Sequence, residues 1–99
     1  MNTKAKGARL ERKSRDLLIK DGYAVTKSGG SLGMFDLIGM LIPKNNYGGH
    51  SWRLVQVKAN RISEQERDKI KAFSVPLFTV KEIHIWKDYA REPEIEIFS

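Results

Sequence analysis

Glu11, Asp36 and the triplet Gln56-Val57-Lys58 are the residues of this chain whose types and spacing could do chemistry. Asp36 interrupts the apolar run Met34-Phe35-Asp36-Leu37-Ile38, and Gln56 and Lys58 alternate with valines in Leu54-Val55-Gln56-Val57-Lys58-Ala59. Charges inside runs built for burial need a compensating partner or a function. A carboxylate, a second oxygen donor and a lysine converging at strand ends suit metal-dependent hydrolysis of a phosphodiester. That reaction needs an activated water and stabilisation of extra negative charge, most of which one or two Mg²⁺ ions can supply. Mg²⁺ takes oxygen ligands and keeps several waters. Asp36 offers a carboxylate, Gln56 an amide oxygen and Val57 a backbone carbonyl, while Glu11 could bind directly or through water. Lys58 would stand beside the attacking water or the phosphate and stabilise the charge of the transition state.

Position 56 departs from that scheme, because an acid is expected there. Glutamine is a neutral, weaker ligand, so metal affinity should fall and Lys58 should lose a close counter-charge. Glu11 also has a purely structural explanation, as a surface partner for Arg15 four residues on. Other chemistries fit less well. There is no cysteine, which excludes disulfides, zinc–thiolate sites and cysteine nucleophiles. His50 and His84 pair with no second ligand at metal spacing. No G-x-S-x-G elbow is present. The glycine-rich stretch Ser28–Gly33 lacks Walker A spacing and the lysine a P-loop requires.

The elements that must position these residues follow from periodicity. Gly7, Leu10, Ser14, Leu17 and Leu18 share one face of a helix expected over Ala5 to Lys20, with Gly22 at its C-terminal cap. Glu11 falls at the edge of that inward stripe. Tyr23–Thr26 reads as a short strand, and Ser28–Gly33 as a loop able to approach a ligand through its backbone. Met34–Ile42 and Trp52–Ala59 read as strands joined by the polar connection Pro43–Ser51. In the latter strand Gln56 and Lys58 share one face, and Val55 and Val57 the other. Ser63-Glu64-Gln65-Glu66 is a capping box with Ile62 as its staple. It opens a helix with Ile70 and Phe73 on its buried side, ended by Pro76. Strands Glu82–Lys87, with Ile83 and Ile85 on one face, and Glu94–Phe98, with Ile95 and Ile97, complete the order α-β-β-β-α-β-β. The expected architecture is α/β, with a central mixed sheet of about five strands flanked by helices. Trp52 and Trp86 could stack on bases, but in a small domain such residues are more often core or dimer contacts.

The 99 residues make one domain spanning 1–99, with an apolar content of 40% that argues against disorder. No apolar run approaches the ~20 residues of a membrane span, and the basic N-terminus has no apolar segment of the secretory kind. The formal charge of +6 is uneven. Lys4, Lys6, Arg9, Arg12, Lys13, Arg15 and Lys20 crowd the first helix, whereas Glu82, Asp88, Glu92, Glu94 and Glu96 mark the tail. That asymmetry suggests one face meant for a polyanion.

The stretch Lys6-Gly7-Ala8-Arg9-Leu10-Glu11-Arg12, followed by Leu17-Leu18, Gly22-Tyr23, the Gly-Gly-Ser loop, Phe35-Asp36-Leu37 and Val55-Gln56-Val57-Lys58, resembles the archaeal-type Holliday junction resolvases. These belong to the PD-(D/E)XK nuclease superfamily, which has viral members. The resemblance covers roughly residues 6–75. It implies a restriction-endonuclease-like fold and a homodimer that nicks two strands of a four-way DNA junction symmetrically, with Mg²⁺ or Mn²⁺. Glu11 matches the helix-borne acid, Asp36 the first metal-binding acid and Lys58 the motif lysine. Ser31 matches the loop serine that approaches the scissile phosphate, and Gln56 stands where the family usually has Glu. The implied site is Glu11, Ser31, Asp36, Gln56 and Lys58, with Glu11, Asp36, Gln56 and Val57 around the metal. Lys6, Arg9, Arg12, Lys13, Lys27, Ser31 and Arg61 would contact DNA. Such a protein works in the cytoplasm with DNA, the host's if viral, with no membrane or small-molecule substrate. Two other readings keep the fold: a DNA-binding module that lost activity through Gln56, and a nicking or repair nuclease with another DNA substrate.

Overall fold

The computed structural model describes residues 3–28, 33–41 and 51–98. Its elements are α1 (Thr3–Lys20), β1 (Tyr23–Lys27), β2 (Leu37–Leu41), β3 (Trp52–Ala59), α2 (Glu64–Ala72), β4 (Thr79–Trp86) and β5 (Glu94–Phe98). The strands form one sheet in the order β1-β2-β3-β4-β5. β1, β2 and β3 are antiparallel neighbours, β3 and β4 are parallel across α2, and β5 returns antiparallel along β4. The expected mixed five-stranded sheet with two helices is the one found.

The two faces of the sheet are covered by different helices. Leu18 of α1 packs on Leu37 and Val55, with Tyr23, Val25 and Val57 around them. On the other face Ile62 and Ile70 join Phe35, Leu54, Ile83 and Ile85. Alternation along β3 therefore sends Val55 and Val57 toward α1, and Leu54, Gln56 and Lys58 toward the α2 side. The capping box forms as its sequence requires: Ser63 Oγ accepts from the Glu66 N–H at 3.1 Å. At its other end, Lys81 Nζ donates to the carbonyls of Lys71 and Phe73 at 2.6 and 2.8 Å. Those carbonyls have no helical donor, so a lysine from β4 supplies one.

Two expectations need correction. β2 begins at Leu37 rather than Met34, because Phe35 turns into the α2-side core before the strand is established. Ile42 and most of the connection to β3 lie outside the described residues. β4 begins at Thr79, three residues before the expected Glu82. Lys81 disguises this start: it is only 2% exposed, yet its ammonium is satisfied by the α2 carbonyls. As expected, Ile95 and Ile97 share one face of β5; they pair with His84 and Glu82 at the sheet edge and remain exposed, while Phe98 packs inward.

Candidate functional site

Asp36 is fixed by its backbone before its side chain acts. Its N–H donates to the Val55 carbonyl at 2.8 Å, and its carbonyl accepts from the Ser28 N–H at 3.1 Å. Ser28 Oγ also donates to the Phe35 carbonyl, so the bend ahead of β2 is held twice. The Asp36 side chain then reaches along β3, where Oδ2 accepts the Val57 N–H at 2.7 Å. Strand geometry turns the Val57 carbonyl to the same side as its N–H, next to this carboxylate.

Two charges bear on Asp36 from different elements. Burial pushes its carboxyl above the usual Asp value; the Val57 N–H pulls it down, Glu11 pushes it up and Lys58 pulls it down, with a net upward shift. Glu11 and Lys58 thus flank Asp36 electrostatically, one from α1 and one from β3. Glu11 does not pair with Arg15; its carboxylate lies 3.8 Å from Lys27 Nζ at the end of β1. Around it, Arg12, Arg15 and Lys27 line a groove of about 440 Å³ between α1 and β1. Lys58, Arg61, Ser63 and Glu66 line an open cleft of about 700 Å³ on the α2 side.

The environment of Lys58 differs from expectation. Its Nζ bonds Glu66 Oε2 at 2.7 Å, so it has a close counter-charge although position 56 is Gln. The same bond, and then the lysine's charge, hold the Glu66 carboxyl below its ordinary value. Glu66 was legible in the sequence only as the capping-box acid; that it reaches a strand lysine eight residues back depends on the turn between β3 and α2. Gln56 lies one residue before Val57 and makes no side-chain hydrogen bond to a described residue. Ser31 lies outside the described residues, as does His50.

The structure thus brings Glu11, Asp36, Val57 and Lys58 to one end of the sheet, with Arg12, Lys27 and Arg61 on the bordering grooves. Lys6, Arg9 and Lys13 are not with Glu11. They lie on the opposite flank of α1, beside Trp86 and the turn after β4. Among the described residues no three His, Cys, Asp or Glu side chains gather closely enough to hold a metal by themselves. The donor set is two carboxylates, the Gln56 amide and the Val57 carbonyl. It fits a hard cation that keeps much of its water, and such a cation would relieve the repulsion between Glu11 and Asp36.

A second polar group was not foreseen. Glu82, 1% exposed, accepts Arg53 Nε at 2.5 Å and Nη2 at 2.7 Å, and His84 Nε2 at 3.0 Å. His84 Nδ1 meets Ser14 Oγ at 2.9 Å, and Ser14 also accepts the Trp86 indole N–H at 2.8 Å. A carboxylate only accepts, so Nε2 carries a proton. Ser14 and His84 are 0% exposed, which makes this chain a staple between α1 and β4 rather than a reaction centre. Trp86 is accordingly core, whereas Trp52 is on the surface.

A mixed five-stranded sheet with a helix on each face thus carries an acid on the first helix, an acid ahead of β2 and a lysine on β3. Among solved structures the chain matches Hjc, a Holliday junction resolvase from Archaeoglobus fulgidus, with a TM-score of 0.61 and 19% identity. The match covers 94% of this chain and 71% of the other. At that identity it shows a shared fold. No family model and no curated protein matches the sequence. No helix among the described residues is long and apolar enough to cross a membrane.

Proposed function

We propose that this protein is a structure-selective DNA endonuclease that resolves four-way junctions by Mg²⁺-dependent phosphodiester hydrolysis, acting as a homodimer in the cytoplasm. The observation that carries the reading is the convergence of Glu11, Asp36 and Lys58 at one end of a sheet with the fold of a resolvase. Glu11, Asp36, the Gln56 amide and the Val57 carbonyl would hold the metal; Mn²⁺ should serve as well. When bound, the cation supplies Lewis-acid stabilisation of phosphate charge and a more acidic water. Val57 N–H orients the Asp36 carboxylate, leaving Oδ1 for other partners. Glu66 orients Lys58, whose ammonium meets the charge that builds on the phosphate. Arg12, Lys27 and Arg61 line the approaches and attract the DNA backbone. Exposed Leu77, Phe78, Ile95 and Ile97 supply apolar surface suited to a second copy.

The test is cleavage of a synthetic four-way junction with Mg²⁺. Paired symmetric nicks are expected, and Lys58→Ala should abolish them. Equal cutting of junction and plain duplex would refute junction selectivity and leave a nuclease. The neutral residue at position 56 favours a second reading, a junction-binding module without activity. Wild-type silence with tight binding, and cutting restored by Gln56→Glu, would select it.

A further inference from the structure

On the flank of α1 opposite Glu11, a groove of about 540 Å³ runs between the helix and the turn after β4. Lys6, Arg9, Lys13 and Lys87 line it against one carboxylate, Asp88. That acid is already engaged, since Lys6 Nζ bonds its Oδ1 at 3.0 Å. Arg9 makes no ion pair with a described residue, Lys13 lies 5.0 Å from the centre of the Trp86 ring, and Lys87 reaches Glu94 only at 3.8 Å. The groove therefore keeps a cationic surplus facing solvent.

At its rim stands Tyr89. It is 104% exposed and has φ +65°, a conformation that costs energy for a bulky side chain. The turn that imposes this is braced: Ala90 N–H donates to the Lys87 carbonyl at 3.1 Å, and Asp88 N–H donates to Asn60 Oδ1 at 2.9 Å. Asn60 N–H in turn donates to the Trp86 carbonyl at 2.8 Å. Asn60 lies two residues past Lys58, so the turn is tied to the strand end that carries the candidate site. An aromatic ring held in water by a strained, braced turn beside a cationic groove has the make-up of a stacking platform for nucleic-acid bases.

We propose that the groove between α1 and the β4–β5 turn is a second DNA-contact site, taking a strand whose unpaired base stacks on Tyr89 while Arg9, Lys13 and Lys87 meet its phosphates. This rests on the DNA-directed reading above and adds to it a preference for unpaired nucleotides, as occur where strands exchange or fray. Cationic charge attracts any polyanion, but only an unstacked base gives the exposed ring a partner.

The experiment measures binding without metal, so that nothing is cut, to a fluorescein-labelled oligo-dT and to a duplex of equal length. Tyr89→Ala should weaken oligo-dT binding about tenfold, with duplex binding changed less than about twofold. Tyr89→Phe should restore oligo-dT binding, because stacking needs the ring and not the hydroxyl. Unchanged oligo-dT binding in Tyr89→Ala, or equal losses on both probes, would overturn the proposal. Junction cleavage abolished by Lys58→Ala, alongside unaltered binding in Tyr89→Ala, would remove this inference alone. A wild-type protein that binds neither probe and cuts no junction would remove both readings.

Discussion

Replacing Glu82 by Gln should destabilise the protein sharply although it touches no candidate site residue. The carboxylate is 1% exposed and accepts three hydrogen bonds, two from Arg53 and one from His84. Breaking one side of a buried ion pair costs about 3–5 kcal/mol. Glutamine keeps one acceptor oxygen, and Asp21 still meets Arg53 Nη1 at 3.0 Å, so the cost should fall at or just below the lower limit of that range, about 2–3 kcal/mol. For a chain of 99 residues, at roughly 4–8 °C per kcal/mol, the thermal midpoint should fall by about 10–20 °C. Urea denaturation at pH 7, with an unchanged slope, is the assay. Burial alone would raise the Glu82 carboxyl, but its bonds to His84 and Arg53 outweigh burial and leave it lowered from 4.5. A carboxylate lowered in the folded state contributes its stability above the unfolded value and loses it as pH falls through the folded one. The gap between wild type and Glu82→Gln should therefore be full at neutral pH and close below about pH 4.5. A gap under about 0.5 kcal/mol at pH 7, or one that does not change with pH, would refute the reasoning.

Further outcomes are expected at the candidate site. Glu66→Gln should shift stability by less than about 1 kcal/mol, since its pair with Lys58 is partly exposed, yet lower junction cleavage by releasing Lys58; denaturation and cleavage rates compare the two. Gln56→Glu should lower the half-saturating Mg²⁺ concentration on the order of tenfold, read from a metal titration of cleavage, because it adds an anionic ligand. Burial and the neighbouring Glu11 raise the Asp36 carboxyl, so protons should compete with metal from a higher pH than at an ordinary Asp. Half-saturating Mg²⁺ in a cleavage titration should therefore rise on acidification, and Asp36→Asn should abolish cleavage. Arg12→Ala should weaken junction binding and reduce the slope of log affinity against log salt by about 0.9, the share of one phosphate contact.

Much of the framework was legible because local chemistry and tertiary need agree. The limits of β3 and β5 followed from alternation, and the start of α2 from Ser63 and Glu66. What stayed hidden were buried charges satisfied from afar. Lys81 reads as a surface residue, and only the carbonyl ends of α2 explain its burial. Glu82 reads as one acid of the tail and His84 as a histidine without a second ligand, yet both lie in an interior strand and meet Arg53 from β3 and Ser14 from α1. No local pattern announces such a partner. The same gap hid which groove Lys6, Arg9 and Lys13 would line. They share a basic helix with Arg12, but the helix wall directs them to another groove.

Burial by itself does not separate a structural charge from a functional one here, but satisfaction does. Glu82 lies in β4 and Asp36 just ahead of β2, and both are desolvated. Glu82 has cations or N–H donors at both oxygens, and its carboxyl sits below the ordinary value. Asp36 has one backbone donor at one oxygen and an acid for a neighbour, and its carboxyl sits above. The fold thus closes one carboxylate and leaves the other short of positive charge. A divalent cation and the lysine on β3 could make up that shortfall, whereas a merely structural acid would have been given an arginine. The contrast makes Asp36 the candidate for chemistry, and in the proposed site Gln56 would set how tightly the missing charge is held.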